Sequence, residues 1–439
     1  MANAVPPSQR LVSYRRLLRN HPFLLVWTGA MVSSLGDHFF ELALMWYTFT
    51  VSRSSLQVAA VAVAYQVTAI VLGPVAGVFA DRWDRRRTMI ACDLIRTAIV
   101  GAFAGLTWRD GFSLPTALLT VFLEEAVGVA FGPSRRAYLP TLVEPDQLVT
   151  ANGLMTGTRQ ATGLGGQALA GFVIAAVGAL AGFVIDAASF GLSAVALGLV
   201  RVAPARRTGV EPSAGSAVAD AERRSSFWTE LRAGWAMVAR TPAILALALF
   251  GTLINLFFAM INPAMPAYVR DQLHTGAGTY GLVGAFQLGG GLIGGFLAGA
   301  VAHRWRAGPL LIALEIVSGT AVLALGLLHR VEVALVLWGV WGLALSILGV
   351  VEQSLEQVLI PPQFLGRVLT LITSVGMAFM PVGSLMGGYL ANRLGPGPLY
   401  VLIGGGFLVI AVGMICHPAI RTATVGNARN ATPPACSGR

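Results

Sequence analysis

The chain has 439 residues, of which 55% are hydrophobic and only 11% are charged, and its formal net charge is +10 at pH 7. A soluble protein of this length needs a larger share of charged residues on its surface. The composition therefore predicts an integral membrane protein. All 30 basic residues are arginines that border apolar segments, which argues against nucleic acid as a partner and is typical of charges that fix membrane topology.

The first half of the chain contains apolar segments of about 20 residues, the length that crosses a bilayer as an α-helix. Residues 1–22 are polar and basic, and they are predicted to form a cytoplasmic N-terminal segment rather than a cleaved signal peptide. The predicted spans of this half are 23–49, 57–80, 88–107, 114–133, 150–175 and 179–200.

A polar segment, 201–242, separates this half from the next and is predicted to be a cytoplasmic linker. An amphipathic helix is predicted near its end from apolar residues at helical spacing: Phe227, Trp228, Leu231, Trp235 and Val238. The predicted spans of the second half are 243–267, 278–301, 308–328, 333–357, 368–391 and 398–417. Residues 418–439 lack apolar periodicity and are predicted to be a disordered cytoplasmic tail.

The predicted fold is an all-α integral membrane protein with twelve transmembrane helices in two pseudo-symmetric six-helix bundles, 23–200 and 243–417. The segment GVFADRW at Gly77–Trp83 has a similar counterpart in the second half, GAVAHRW at Gly299–Trp305, which indicates two related halves. Most arginines fall before the first span, after even-numbered spans or in the tail, so both termini are predicted to be cytoplasmic.

Carboxylates inside the spans are the candidate proton-coupling groups, because a buried acid needs a partner, water or a protonation role. Asp37 and Glu41 lie four residues apart on one helix face, where like charges repel and favour proton uptake. A structural role for Asp37, as a cap or brace of the first helix, stays open. Glu124 and Glu125 are about 100° apart around the fourth span, so at most one faces a central cavity, with a slight preference for Glu124.

Two basic residues also lie inside predicted spans. Arg96 is three residues after Asp93, and the two are expected to form a structural ion pair on one helix. Arg159 is expected to balance Glu124 or Glu125, or else to meet an anionic substrate. Asp186 could bond to the backbone as readily as bind a ligand.

Several function classes lack their motifs. The chain has no Lys, so no GxxxxGK[ST] motif exists for binding ATP. No HExxH sequence occurs, and the three cysteines, Cys92, Cys416 and Cys436, lack metal-ligand spacing. The sequence therefore predicts neither an enzyme nor a cofactor or metal site.

The segment between the second and third spans carries a specific motif. Gly77, Asp81, Arg82, Arg85 and Arg86 match the pattern G-x-x-x-D-R-x-x-R-R. Supporting matches are SSLGD at Ser33–Asp37, DLIR at Asp93–Arg96, PSRRAYLPTLV at Pro133–Val143, AN at Ala151–Asn152, IDAASF at Ile185–Phe190 and GRV at Gly366–Val368. On these residues the chain resembles the major facilitator superfamily, in the drug–proton antiporter branch that includes macrolide efflux proteins and the enterobactin exporter.

The resemblance implies a secondary transporter that works by alternating access and exports amphipathic organic compounds in exchange for protons. A siderophore exporter and a lipid flippase are the alternatives. It also implies a conformational latch at Gly77, Asp81, Arg82, Arg85 and Arg86, with the helix that begins near Gly366 and Arg367 as the partner of Asp81. The expected protein is a monomer in the inner (cytoplasmic) membrane whose partners are a small molecule, protons and lipid.

Overall fold

A computed structural model describes residues 16–200, 232, 235–362 and 364–421, with the side chains of all of these except 74–82 and 303. Among the described residues the regular elements are all helical. Much of the predicted linker, most of the tail and the start of the N-terminal segment lie outside these ranges. Of the predicted amphipathic helix, Phe227, Trp228 and Leu231 lie outside them as well, whereas Trp235 and Val238 belong to a helical stretch.

Six long helices form the first half of the chain: α1 His21–Ser52, α2 Ser55–Arg82, α3 Arg85–Asp110, α4 Leu114–Tyr138, α5 Leu148–Val177 and α6 Ala179–Leu199. Polar side chains fix where several of them begin. Asn20 Oδ1 accepts a hydrogen bond from the Phe23 amide at 3.1 Å, and Asp84 Oδ1 accepts one from the Arg87 amide at 2.8 Å. Each bond satisfies an amide that the first turn of a helix leaves without a partner.

The second half contains α7 Pro242–Ala267, α8 Ala277–Arg304, α9 Ala307–Leu327, α10 Val331–Leu359, α11 Leu365–Ala378, α12 Met380–Leu394, α13 Pro396–Cys416 and α14 Pro418–Arg421. The span predicted at 368–391 as one helix consists of two, α11 and α12, which meet at Phe379. Pro381 stands in the first turn of α12, where the missing amide hydrogen of proline is tolerated. Within a continuous helix the same proline would remove a backbone hydrogen bond, so α11 ends before it.

Eleven of the described segments are long and apolar enough to cross a membrane, with α11 and α12 together forming one of them, Leu365–Leu394. The first helix, α1, is not one of the eleven although it has 32 residues. Polar residues such as Ser33, Ser34, Asp37 and Glu41 lower its hydropathy. With α1 added, the described helices provide the twelve predicted spans.

The described residues fall into two compact units. The first contains α1 to α6 together with Met265–Ala285, and the second contains the other described residues. In the first unit, α1 packs against α5 and α6, α3 packs against α4 and α6, and α2 packs against α4. In the second unit, α9 packs against α10 and α13.

Close packing of α1 on α6 sets the position of the polar residues of the first unit. Gly36 has no Cβ, and a Cβ there would lie 2.7 Å from Asp186 Oδ1 of α6. One turn further along α1, Phe40 packs edge to face against Phe183 of α6, with ring centroids 5.5 Å apart. The small residue and the aromatic pair hold α1 and α6 together at the level of Asp37.

Candidate functional site

Arg96 of α3 is the centre of a charged cluster inside the first unit. Its Nη2 atom donates to Asp37 Oδ1 of α1 at 3.0 Å and also to a carboxylate oxygen of Glu124 on α4. The guanidinium lies over the ring of Phe190 on α6, 3.8 Å from the ring centroid. Four helices therefore meet at one buried cation.

The two carboxylates that Arg96 contacts differ in exposure. The side chain of Glu124 is 4% exposed and that of Asp37 is 43% exposed. A buried carboxylate is costly unless it is paired, so Arg96 compensates Glu124 while it holds Asp37 at the edge of the cluster. With both carboxylates ionised the three groups carry one excess negative charge, which one proton would neutralise.

A cavity of about 260 Å³ opens beside this cluster, between α1, α3, α4 and α5. Its charged and aromatic wall includes Trp27, Asp37, Arg96, Glu125, Arg135 and Arg159. Along this wall, Trp27 Nε1 of α1 donates to Thr158 Oγ1 of α5 at 2.9 Å. The hydroxyls of Ser34 and Thr162 are 3.1 Å apart and join the same two helices.

Helical periodicity explains which side chains reach the cavity. On α4, Glu125, Gly128, Gly132 and Arg135 recur at intervals of three and four residues and share one face. Glu125 therefore lines the cavity, and Glu124, about 100° away, is buried against Arg96. In this cavity of the first unit, Glu125 and not Glu124 is the glutamate on the wall, and the slight preference for Glu124 in a central cavity between the halves stays a prediction.

The ion pairs of the described residues differ from those expected from the sequence. Arg96 pairs with Asp37 and Glu124 rather than with Asp93, which is fully buried beside Ser193 of α6. The long arginine side chain reaches across to neighbouring helices, where it compensates a carboxylate that would otherwise be buried alone.

Arg159, which was expected to balance Glu124 or Glu125, lines the cavity and is exposed. Within the described part of the chain it forms no salt bridge with either glutamate. Because Arg96 already compensates Glu124, the charge of Arg159 is available for another group in the cavity.

The two remaining carboxylates that the sequence analysis singled out, Asp186 and Glu41, have different surroundings. Asp186 is fully buried, and Ser189 Oγ donates to its carbonyl oxygen at 2.8 Å and lies 3.4 Å from its Oδ1. Asp186 thus belongs to the contact between α1 and α6 described above. Glu41 is exposed one turn beyond Asp37 and takes part in none of the salt bridges found among the described residues.

The arginines of the family motif contact helix ends. Arg85 Nη1 donates to the carbonyl oxygen of Ala137 at 2.9 Å, and Arg86 Nε donates to that of Leu197 at 2.9 Å. Arg86 Nη2 also donates to the carbonyl oxygen of Gly198 at 2.5 Å. These carbonyls end α4 and α6, so both arginines stabilise the negative ends of helix dipoles within the first unit.

The remaining motif residues give less information. Gly77, Asp81 and Arg82 belong to the last turns of α2, and their side chains lie outside the described ones. Gly366 and Arg367 belong to the first turn of α11 and are exposed.

The sequence analysis did not single out Arg135 or Phe190, although both contribute to this site. Arg135 stands in the segment PSRRAYLPTLV, just beyond the predicted end of the fourth span at 133, and continuing that helix would have brought it within about 80° of Glu125 around the axis. Phe190 ends the supporting match IDAASF, but the sequence did not predict its contact with Arg96, which depends on how α3 and α6 pack.

Sequence comparison identifies the family. A profile described as "Transmembrane secretion effector" matches residues 15–433. The chain belongs to this family, within the major facilitator superfamily. The chain is 24% identical to macrolide efflux protein A of Streptococcus pyogenes over 397 residues, which cover 90% of this chain and 95% of the relative. It is 26% identical to the multidrug efflux pump Tap of Mycobacterium tuberculosis over 411 residues, which cover 90% and 91%.

Solved structures of major facilitator transporters share the fold. The nucleoside transporter NupG aligns with a TM-score of 0.70 at 11% identity, covering 90% of this chain and 98% of that one. A bacterial homologue of the iron transporter ferroportin, in an inward-facing state, aligns with a TM-score of 0.69 at 19% identity, covering 91% and 98%. By its family and its relatives, the chain is a multi-pass membrane transporter of the efflux type and not an enzyme.

Proposed function

We propose that this protein exports amphipathic organic compounds across the cytoplasmic membrane in exchange for protons. The observation that carries the proposal is the contact of Arg96 with Asp37, beside a cavity that Asp37 and Glu125 also line. A carboxylate that is accessible and also held by a buried cation can exchange a proton and change its contact with the cation when it does so.

Proton binding at Asp37 would act directly on the packing of the first unit. Ionised Asp37 attracts Arg96 and so ties α1 to α3. A proton on Asp37 removes that attraction and leaves the guanidinium to Glu124. Because Asp37 and Glu125 also line the cavity, a substrate that binds there competes with protons for these two carboxylates. Such competition is what exchange of substrate for protons requires.

The relatives support drug-like compounds as the substrate class, since their names refer to macrolides and to multiple drugs. The cavity wall supports the same class, because Trp27, Phe131 and Met155 provide apolar and adaptable contact surface. A volume of about 260 Å³ lies just below the usual range of ligand pockets, so this cavity would hold one end of a large compound.

The orientation and the latch belong to the same proposal. The arginine bias supports cytoplasmic termini, and we infer a monomer. We also infer that Asp81, with Gly77 and Arg82, latches one conformation through the helix that begins near Gly366 and Arg367. The motif itself supports the latch. Its remaining members, Arg85 and Arg86, bond to the ends of α4 and α6 within the first unit.

The experiment is transport of erythromycin by the purified full chain in proteoliposomes with an imposed pH gradient. We expect Asp37→Asn to abolish accumulation against the concentration gradient and to leave binding of the drug largely intact. Asp110→Asn is the matched control, because Asp110 is exposed at the end of α3 and contacts only its neighbour Arg109 among the salt bridges of the described residues. Continued accumulation by a variant with Asp37, Glu41 and Glu125 all neutralised would contradict proton coupling through these residues.

A further inference from the structure

The cavity beside Arg96 has a second charged end. Arg135 lies ten residues after Glu125 on the same face of α4, so the two side chains attach to the helix about 15 Å apart. Arg159 of α5 lines the cavity together with Arg135. One end of the cavity therefore contains the carboxylates and Arg96, and the other contains two arginines.

Among the residues that the structure describes, these two arginines have no carboxylate partner. Neither forms a salt bridge or a side-chain hydrogen bond with any residue in the part of the chain that the structure describes. The like charges of Arg159 and Arg136 lie near enough to repel Arg135, while Asp37 attracts it. Two guanidinium groups in a partly enclosed cavity produce a positive potential that water alone screens poorly, and an anionic group would relieve it.

We propose that Arg135 and Arg159 form an anion subsite that binds a carboxylate, or a similar single anionic group, on the transported compound. The fork of donors on a guanidinium matches a carboxylate with two parallel hydrogen bonds. The apolar body of the compound then packs against Phe131 and Met155, which line the cavity beside the arginines. The preferred cargo is an amphipathic compound with an acidic group, and a basic group at its other end would reach Asp37 and Glu125.

This inference rests on the proposed export function, because it assigns a substrate class to the same cavity. The separation of charge also explains how one cavity serves both a cargo and protons. The anionic group anchors the cargo at the arginine end, and the other end of the cargo competes with protons for Asp37 and Glu125.

The test is equilibrium binding of rhodamine B, which has a free carboxylate, and of its ethyl ester, which lacks that anion, to the purified full chain. We expect the wild-type protein to bind the acid about 10-fold more tightly than the ester, the preference that one charge-assisted contact provides. Arg135→Gln and Arg159→Gln should each weaken binding of the acid by about 10-fold and leave the ester unchanged. Arg159→Lys, which keeps the charge but not the fork, should restore part of the preference.

Arg136→Gln is the control for a general loss of positive charge, because Arg136 is the exposed neighbour of Arg135 and is not part of the cavity wall. It should change the affinity for neither dye. Equal binding of acid and ester, no binding of either, or equal weakening of both by Arg159→Gln would overturn the anion subsite. The measurement needs no pH gradient, so its failure can be told apart from failure of proton-driven export, which the erythromycin assay detects.

Discussion

Arg96 Nη2 lies 3.0 Å from Asp37 Oδ1, so a buried guanidinium on α3 holds an accessible carboxylate on α1. The same atom contacts Glu124 of α4, and the guanidinium covers the ring of Phe190 on α6. The pair therefore joins the packing of four helices to the wall of the cavity, and a change in the charge of Asp37 acts on both.

Replacing Arg96 alone should destabilise the fold more than replacing both Arg96 and Glu124. Arg96→Met leaves Glu124 buried without a cation, and we expect it to lower the stability of the fold by about 3–5 kcal/mol. The double variant Arg96→Met with Glu124→Met should recover much of that loss, since apolar residues of similar volume replace both charges. Thermal unfolding of the purified proteins in detergent measures the difference. If the double variant is no more stable than Arg96→Met, Glu124 does not depend on Arg96 for compensation.

Arg86 should stabilise the first unit independently of any latch. Its guanidinium donates to two carbonyls at the end of α6, and Arg86→Ala leaves them without these bonds. We expect the free energy of unfolding to fall by about 1 kcal/mol. This is less than the full value of a charged hydrogen bond, because the side chain is only half-buried. Arg87→Ala is the matched control, since the Arg87 side chain is exposed and makes no hydrogen bond or ion pair among the described residues. Equal melting temperatures of the two variants would contradict this role.

Gly36 should be sensitive to the addition of a single methyl group. A Cβ at this position would lie 2.7 Å from both Asp186 Oδ1 and Ser189 Cβ, so Gly36→Ala must separate α1 from α6. We expect the free energy of unfolding to fall by about 1–3 kcal/mol. Transport should also be slower, because the shift moves Asp37 away from Arg96. Gly105→Ala on α3 is the control, because a Cβ there would meet no atom within 4 Å. A Gly36→Ala variant as stable and active as Gly105→Ala would show that this contact does not position the site.

Asp81 should affect conformation rather than folding. If Asp81 latches one state of the transporter, Asp81→Asn should lower turnover and increase the access of thiol reagents to cysteines introduced at the cytoplasmic ends of the helices. Protein yield and melting temperature should stay close to those of the wild type. Unchanged turnover together with unchanged labelling would rule the latch out.

The sequence by itself determined that the chain spans a membrane, how many times it does so and which superfamily it resembles. Span length and hydropathy are local properties, and a helix in lipid must satisfy its own backbone hydrogen bonds, so each span can be identified without its neighbours. The motif from Gly77 to Arg86 is equally local, because its residues are contiguous in the chain. Even the division at Phe379 has a local signal in Pro381, although the apolar run conceals it.

Only the tertiary structure decided which charges meet. Asp93 is the near neighbour of Arg96 in sequence, yet Arg96 contacts Asp37 and Glu124, which lie on other helices. The partner of a buried charge depends on how closely helices approach and on which carboxylate would otherwise be left uncompensated. For the same reason Arg159 faces the cavity beside Arg135 instead of balancing a glutamate. Helix identity follows from residues that are close in sequence, whereas a charged site inside a membrane depends on contacts between residues far apart in it.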